Sequence, residues 1–224
     1  MKTLRGAKNS TVKLGVQRGN SPELLYFDVT RGDVPVNSVD VSFEAAKGIG
    51  YIKVSKFARN TYNEFITAIA KLKQAGCTSF VIDLRGNTGG YMDAAINMIN
   101  EFMPEGRLIV YTEGKSFPRS DVYANGTGTC KDAPIVVLTD EISASASEIF
   151  SGAIQDNDRG TIIGRRTYGK GLVQTQMSLS DGSEMRLTIA RYYTPSGRCI
   201  QKKYEMGNTD AYDQDIYNLS LIHI

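Results

Sequence analysis

Apolar and polar residues alternate near the start of the chain, which is the pattern of β-strands that bury one face. Thr11–Arg18 alternates in this way, a turn-forming cluster follows at 19–22, and 24–29 is again rich in apolar residues. A lone hairpin is only marginally stable in water. We therefore expect these two strands to pack on further structure, and we predict two more strands at 34–43 and 50–54.

The central part of the chain alternates short apolar segments with segments of helical periodicity. Phe65, Ile69 and Leu72 recur on one helical face, and Thr61 and Glu64 have the spacing of a capping box at the start of that helix. We predict further strands at 79–84, 108–111, 135–138 and 161–163, a second helix that ends before residue 104, and a third helix at 144–155. This alternation indicates an α/β fold with a mixed β-sheet.

A β-hairpin is predicted near the end of the folded part. Segments 172–179 and 184–193 have strand composition, and Asp181-Gly182 lies between them. Because an Asp-Gly pair favours the type I′ conformation, we predict a tight two-residue turn of that type.

The composition is that of an ordinary globular protein. Of 224 residues, 41% are hydrophobic and 22% are charged, which excludes collagen-like and disordered classes. Lys and Arg number 26 against 24 Asp and Glu, so the net charge of +2 favours neither nucleic acid nor an anionic membrane surface. The longest apolar runs, such as 134–138, are far shorter than the roughly 20 residues of a membrane helix. No apolar segment typical of an export signal follows residues 1–6.

Histidine and cysteine usage restricts the chemistry further. The single histidine is His223, which disfavours Ser-His-Asp triads, Cys-His pairs and multi-histidine metal sites in the core. Cys77, Cys130 and Cys199 are odd in number and lack CxxC spacing, so neither a disulfide framework nor a structural zinc site is expected. We expect no metal and no cofactor, and the cysteines are expected to pack as small hydrophobic residues.

A glycine-rich segment, Asp83-Leu84-Arg85-Gly86-Asn87-Thr88-Gly89-Gly90, lies between a predicted strand and a predicted helix. Adjacent glycines allow main-chain N–H groups to approach an anion, and a helix N-terminus adds favourable potential. The alternative is a tight turn that needs glycine only for its backbone conformation. A phosphate-binding P-loop is excluded, because no Gly-Lys-Ser or Gly-Lys-Thr follows.

Three alternating serines, Ser143, Ser145 and Ser147, lie where a predicted strand ends and the third helix begins. A serine hydroxyl at this position lies in the positive potential of the helix N-terminus, where a developing oxyanion is favoured. Simple N-capping requires only one serine. The pattern does not select one of the three as a nucleophile.

Lys170 lies between Gly169 and Gly171, and Gln174 follows four residues later. A lysine acts as a general base only when it is neutral, and the alternative is a solvated lysine on a flexible loop. On an extended strand Lys170 and Gln174 would be about 13 Å apart, so direct contact requires a bend. A hydroxyl at a helix start, a lysine, glycine amides and no core histidine are together the components of a Ser–Lys acyl-transfer site.

Four segments in order resemble the C-terminal processing peptidases, also called tail-specific or carboxyl-terminal proteases. They are 83–90, 143–149, 169–171 with Gln174, and 193–198, and the resemblance extends over roughly residues 10–203. It implies a crotonase-like α/β core with mixed sheet and helices. It also implies the site residues, namely Ser145 as nucleophile, Lys170 as general base, Gln174 as the residue that orients Lys170, and an oxyanion hole formed by Ala146 with Gly89 or Gly90. Asp156 matches a family aspartate with a structural role.

The resemblance also implies a domain organisation and a substrate class. Residues 1–31 would be the C-terminal remnant of a PDZ domain, 32–203 the peptidase core and 204–224 a tail. The implied activity is a serine endopeptidase that cleaves unfolded or tagged polypeptides near their C-termini through an acyl-enzyme, in the bacterial periplasm or envelope. A homo-oligomer or an adaptor protein is left open.

Two other functions were weighed against the peptidase. The incomplete PDZ region is compatible with a catalytically silent peptide-binding module. Acyl-CoA chemistry on a crotonase-like fold is disfavoured, because nothing in the sequence resembles an adenine or pantetheine site.

Overall fold

A computed structural model describes residues 4–19, 22–32 and 37–203, and the chain divides into two compact units, Met1–Val36 and Asn37–Ile224. The first unit contains an antiparallel hairpin of β1 (Thr11–Gln17) and β2 (Leu24–Thr30). This confirms the two strands predicted from the alternation. All seven side chains of β2 are exposed within this structure.

The second unit contains nine strands and three helices within its described residues, 37–203. They are, in chain order, β3 (Val39–Ala46), β4 (Ile49–Val54), α1 (Thr61–Gln74), β5 (Ser79–Asp83), α2 (Met92–Asn100), β6 (Leu108–Glu113), β7 (Ser120–Tyr123), β8 (Ile135–Thr139), α3 (Ala146–Asp156), β9 (Thr161–Gly164), β10 (Leu172–Ser178) and β11 (Glu184–Tyr193).

These strands form two sheets. A five-stranded sheet has the order β3-β4-β5-β8-β9, in which β3 pairs antiparallel with β4 and the other neighbours are parallel. A four-stranded antiparallel sheet has the order β10-β11-β6-β7. The predicted mixed α/β class is confirmed, whereas the short strand β7 was not predicted.

The core contains one face of the five-stranded sheet together with the three helices. Ile52, Ile82 and Val137 come from neighbouring strands and are fully buried, and Phe65 of α1 and Phe150 of α3 belong to the same buried cluster. Because β5 and β8 are adjacent and parallel, their carboxyl ends lie at the same edge of the sheet. The two segments that follow these strands are thereby brought together. No helix among the described residues has both the length and the apolar character needed to cross a membrane.

The capping box predicted at the start of α1 is wrong. The Thr61 hydroxyl accepts the Ala58 N–H at 2.7 Å, and the Glu64 carboxylate accepts the N–H groups of Ser38 and Val39 at 2.6 and 3.0 Å. A long-range contact thus gives the Glu64 carboxylate two charge-assisted bonds at the start of β3, where a capping box would provide one.

The turn between β10 and β11 also differs from the prediction. The Leu179 N–H donates to the Ser183 carbonyl at 2.8 Å, and the Gly182 N–H donates to the Leu179 carbonyl at 3.1 Å. Gly182 has a φ of 84°, whereas Asp181 is not in the left-handed region that a type I′ turn also requires. Asp181 instead accepts the Ser183 N–H at 2.9 Å, which stabilises a three-residue loop with glycine in its last position.

Candidate active site

Two turns meet at the edge formed by β5 and β8. We call residues 84–91, which follow β5, the glycine turn, and residues 140–145, which follow β8, the serine turn. The Ala144 N–H donates to the Asn87 carbonyl at 3.0 Å, and the Gly86 N–H donates to both oxygens of the Asp140 carboxylate at 2.9 and 3.0 Å. Two candidate segments that lie about 60 residues apart in sequence are therefore hydrogen-bonded to each other.

The three serines differ in what their hydroxyls do. Ser143 and Ser147 are fully buried, and their hydroxyls donate to the carbonyls of Leu84 and Asn87, each at 2.9 Å. Ser145 is partly buried, and in a capping box at the start of α3 its side chain accepts the Glu148 N–H, but its hydroxyl donates no hydrogen bond to any residue that the structure describes. Two of the three hydroxyls thus donate to the glycine turn, and only that of Ser145 keeps its proton available.

Ser145 has a strained backbone conformation. It is the residue before α3, with φ 57° and ψ −112°. A positive φ in a residue with a side chain costs on the order of 1–3 kcal/mol and is concentrated at functional sites. The sharp turn from strand to helix places the side chain at the helix N-terminus, where negative charge is favoured. Of the three serines, Ser145 is the one at the N-cap of α3, a position that the sequence had not assigned to any one of them.

The glycine pair lies directly against the serine turn. A Cβ atom on Gly89 would lie 2.8 Å from the Ser145 Cβ, and a Cβ atom on Gly90 would lie 2.0 Å from the Phe57 carbonyl oxygen. Their φ values are 96° and 144°. Both the backbone conformation and the close approach therefore require glycine at these positions. The sequence had offered these as two alternative reasons for the glycine pair, and the structure shows both.

The two glycine amides are not equivalent. The Gly89 N–H donates to the Asn87 Oδ1 at 2.8 Å. The N–H groups of Gly90 and Ala146 have no acceptor among the described residues. Two unsatisfied main-chain donors therefore flank the turn that carries Ser145, which is the chemical requirement of an oxyanion-binding site.

The lysine is held by a rigid loop, which we call the lysine loop, residues 168–171. The N–H groups of Gly169 and Lys170 donate to the two oxygens of Glu148 at 2.6 and 2.8 Å, and the Gly171 N–H donates to Gln201 Oε1 at 3.0 Å. The alternative of a lysine on a flexible loop does not describe this arrangement, because each N–H of the Gly-Lys-Gly segment has a partner.

The carbonyl side of the lysine loop is equally constrained. The Gly169 carbonyl accepts the Lys202 N–H at 3.0 Å, and the Gly171 carbonyl accepts the Tyr192 N–H at 2.7 Å. A Cβ atom on Gly169 would lie 2.8 Å from the Lys202 Cβ, and one on Gly171 would lie 2.4 Å from the Gln201 nitrogen. These glycines permit close packing of two chain segments rather than flexibility.

The side chains of Lys170 and Gln174 are exposed, and neither forms a hydrogen bond or ion pair with any residue in the described part of the chain. A bulge between Val173 and Gln174 interrupts the pairing of β10 with β11. The structure thus connects the main chains of Lys170 and Ser145 through Glu148, and it does not pair Gln174 with Lys170.

Glu148 is a buried carboxylate at the start of α3, with 5% of its surface exposed. Besides the lysine loop, it accepts the Ser145 N–H at 2.8 Å. Burial raises the pKa of Glu148, although hydrogen bonds from Lys170, Thr167, Ser145 and Gly169 oppose this effect.

Asp83 anchors the beginning of the glycine turn. Its carboxylate is 1% exposed and accepts hydrogen bonds from the Arg85 guanidinium and from the Tyr51 hydroxyl. Lys53 Nζ lies 3.4 Å from the same carboxylate. Burial by itself would raise the pKa of Asp83. The hydrogen bonds from Arg85 and Tyr51 and the charge of Lys53 outweigh burial and lower this pKa to about 2.

Asp156 has the structural environment that the sequence suggested. It is the last residue of α3, and its carboxylate accepts the Ser196 N–H and hydroxyl at 3.2 and 2.6 Å and a hydrogen bond from Arg198. Burial would raise the pKa of Asp156, but the bonds from Ser196, Thr194 and Arg198 lower it. The contact fastens the end of α3 to segment 193–198.

Two residues of the site had no role assigned from the sequence. The Ser145-x-x-Glu148 spacing is a capping-box pattern and could have drawn attention to Glu148. Asn87 gave no such signal, since apart from Gly89 its side chain and carbonyl bind two distant segments, at Val54 and at residues 144–147. Within residues 4–19, 22–32 and 37–203, no group of three or more His, Cys, Asp and Glu side chains is arranged to hold a metal ion.

Comparison with known proteins identifies the family. The profile of peptidase family S41 matches residues 48–210. The chain is 37% identical over 202 residues to a carboxyl-terminal-processing protease of Synechocystis sp. (strain ATCC 27184 / PCC 6803 / Kazusa), covering 89% of this chain and 47% of that protein. It is 32% identical over 202 residues to the carboxy-terminal processing protease CtpB of Bacillus subtilis (strain 168), covering 89% and 42%.

Among solved structures, the photosystem II D1 C-terminal processing protease is similar, with a TM-score of 0.68, 33% identity, and coverage of 88% of this chain and 54% of that one. The chain therefore spans about half the length of the relatives it matches. With the profile match over most of its length, the chain belongs to peptidase family S41.

Proposed function

We propose that this chain carries the catalytic core of a serine endopeptidase that cleaves polypeptides near their C-termini through an acyl-enzyme. The observation that carries the proposal is the arrangement around Ser145. Its hydroxyl donates to no described residue and lies on a strained turn, and the N–H groups of Gly90 and Ala146 have no acceptor among the described residues. The names of the relatives support the reaction class.

In the proposed mechanism, neutral Lys170 takes the proton from Ser145 Oγ as that oxygen attacks the substrate carbonyl carbon. The negative oxygen that forms is bound by the oxyanion donors. Collapse breaks the peptide bond, and Lys170 returns the proton to the leaving amine. Water then attacks the ester, Lys170 again removes a proton, and Ser145 is regenerated with release of the new carboxylate.

Gly90 and Ala146 are the proposed oxyanion donors. Gly89 is less suitable because its N–H is already bound by Asn87 Oδ1 at 2.8 Å. For Gln174 we propose that its side-chain oxygen accepts an N–H of the Lys170 amine during catalysis. This requires a rearrangement of two exposed side chains, which their lack of other partners in the described part of the chain permits.

The wider organisation is also proposed from family resemblance. The β1–β2 hairpin would be the remnant of a PDZ domain within residues 1–31, followed by a core at 32–203, and a complete PDZ domain would recruit a substrate's C-terminal carboxylate by strand addition. Unfolded or tagged polypeptides in the bacterial envelope are the proposed substrates. Acyl-CoA chemistry has no support in a chain of this peptidase family.

The experiment that tests the proposal is labelling of the purified protein with a fluorophosphonate, followed by intact mass measurement and peptide mapping. We expect a single adduct on Ser145 that is lost in Lys170→Ala, while circular dichroism shows both proteins folded. A folded wild-type chain that binds C-terminal peptides without forming the adduct would overturn the proposal in favour of a silent peptide-binding module.

A further inference from the structure

One buried carboxylate connects the serine turn to the lysine loop. The Oε2 atom of Glu148 accepts both the Ser145 N–H and the Lys170 N–H, each at 2.8 Å, and its Oε1 atom accepts the Gly169 N–H at 2.6 Å. These three donors are main-chain groups, and the Thr167 side chain supplies a further hydrogen bond. The carboxylate therefore holds the backbone on either side of the proposed Ser–Lys pair and touches neither reactive side chain.

The shared oxygen limits the separation of the two main chains. Two nitrogens bonded to one oxygen at 2.8 Å each cannot be more than about 5.6 Å apart. A lysine side chain extends roughly 6 Å from its Cα on a flexible four-carbon stem. The tether thus keeps the Lys170 amine within reach of the Ser145 hydroxyl.

Helix capping explains only part of this arrangement. A capping box requires Glu148 to accept the Ser145 N–H alone. The bonds to Gly169 and Lys170 come from residues that lie 21 and 22 positions later in the chain. A buried charge is costly unless its hydrogen bonds compensate it. Glu148 is 5% exposed, so the cost of its burial is offset not only by the helix end but also by the N–H groups of Gly169 and Lys170 and by the Thr167 side chain.

We infer that Glu148 is a positioning residue, which holds the main chains of Ser145 and Lys170 in register so that their side chains can exchange a proton. This inference rests on the proposed Ser–Lys mechanism. Glu148 is not a catalytic residue in this scheme, because its carboxylate is buried and its oxygens are bound by the main chains of the serine turn and the lysine loop and by the Thr167 side chain.

The lysine loop has other attachments, which make the inference testable in a folded protein. The Tyr168 N–H donates to the Ser143 carbonyl at 2.9 Å, and the Gly169 and Gly171 carbonyls are bound by Lys202 and Tyr192. Loss of the Glu148 bonds should therefore loosen the placement of Lys170 without detaching the loop.

The test compares Glu148→Gln with the wild-type protein. Glutamine has the same shape but only one acceptor oxygen, so at least one of the three N–H groups would face an NH₂ group. We expect the fluorophosphonate acylation rate and kcat to fall by roughly tenfold to a hundredfold, with KM changed by less than about twofold. Glu148→Asp, which keeps the charge but is shorter, should remain folded and show an intermediate loss.

Glu101→Gln is the matched control. Glu101 is equally buried, at 4% exposed, and accepts the Tyr62 hydroxyl at 2.7 Å and the Thr129 N–H at 3.0 Å, away from the serine turn. The Glu101→Gln variant should have a lower thermal stability, but the acylation rate of the folded protein should stay at the wild-type value.

A double mutant separates positioning from a general structural role. Lys170→Ala, which forms no adduct in the standard labelling time, is incubated with excess probe for long enough to measure its slow residual acylation. If Glu148 acts through Lys170, adding Glu148→Gln to Lys170→Ala should not slow that residual acylation further. Additive losses would overturn the inference, as would a wild-type acylation rate in folded Glu148→Gln and Glu148→Asp. Absence of a Lys170-dependent adduct on Ser145 in the wild type would instead show that the proposed function itself is wrong.

Discussion

The Ser147 hydroxyl donates a 2.9 Å hydrogen bond to the Asn87 carbonyl, and this contact joins the first turn of α3 to the glycine turn. Asn87 is fully buried, its Nδ2 donates to the Val54 carbonyl at 2.9 Å, and its Oδ1 accepts the Gly89 N–H at 2.8 Å. Asn87 therefore connects the end of β4 and the glycine turn through its side chain, and it binds the serine turn and the start of α3 through its carbonyl. The geometry around Ser145 thus depends on a buried residue that the sequence pattern did not single out.

Replacing the three serines one at a time should separate chemistry from structure. Ser145→Ala should lose fluorophosphonate labelling and lower the free energy of unfolding by no more than about 1 kcal/mol, because the side chain serves only as an N-cap and its hydroxyl donates to no described residue. Ser143→Ala and Ser147→Ala should lower the free energy of unfolding by about 1–3 kcal/mol, because each removes a fully buried hydrogen bond. Urea denaturation and intact mass measure the two effects. A stable but unlabelled Ser147→Ala would contradict this division of roles.

Ser145→Gly provides a separate test of backbone strain. Since Ser145 has a φ of 57°, glycine should relieve strain and raise the free energy of unfolding by about 1 kcal/mol while abolishing labelling. Ser145→Ala is the control, because alanine retains the Cβ that causes the strain. Equal stability of the glycine and alanine variants would mean that the conformation stores no strain.

Two substitutions in the glycine turn should have different effects. Gly90→Ala would place a Cβ atom 2.0 Å from the Phe57 carbonyl oxygen, so the turn must move and acylation should be lost. Gly86 also has a positive φ, 73°, but nothing lies within 4 Å of an added Cβ. Gly86→Ala should therefore cost only about 1 kcal/mol of stability and retain labelling. Wild-type acylation by Gly90→Ala would exclude Gly90 from the oxyanion site.

The Asp83 carboxylate should make stability depend on pH in the acid range. Its pKa is lowered to about 2 from the ordinary 3.8, so its contribution is present above about pH 4 and is lost as the pH falls toward 2. The shift corresponds to roughly 2 kcal/mol. In denaturant titrations from pH 6 to pH 2, the free energy of unfolding of the wild type should exceed that of Asp83→Asn by an amount that decreases as acid protonates Asp83. A difference in unfolding free energy that does not change with pH would contradict the assigned role.

Asp156 is expected to stabilise the fold without taking part in acylation. Asp156→Ala removes the acceptor of the Ser196 N–H and hydroxyl and of Arg198, and it should lower the free energy of unfolding by about 1–3 kcal/mol. The labelling rate of the folded protein should stay at the wild-type value. A large loss of rate at unchanged stability would place Asp156 in the reaction.

Much of the fold could be predicted from local patterns. Period-two and helical spacing report which face of a segment is buried, and this identified β4, β5, β8 and the three helices within a few residues. Errors arose where a distant segment supplied the partner. Glu64 binds the amides of Ser38 and Val39 instead of capping its own helix, and no local spacing could show this.

By itself, the sequence determined the α/β class, the presence of a single histidine, at position 223, and the order of the motif segments that place the chain in its family. Only the tertiary structure decided which serine hydroxyl keeps its proton available, which glycine amide has no acceptor among the described residues and which hydrogen bonds hold the lysine loop. The reason is physical. Periodicity along the chain records burial, whereas the partner of each hydrogen-bonding group is set by the parallel neighbours β5 and β8, which bring distant turns to one edge of the sheet.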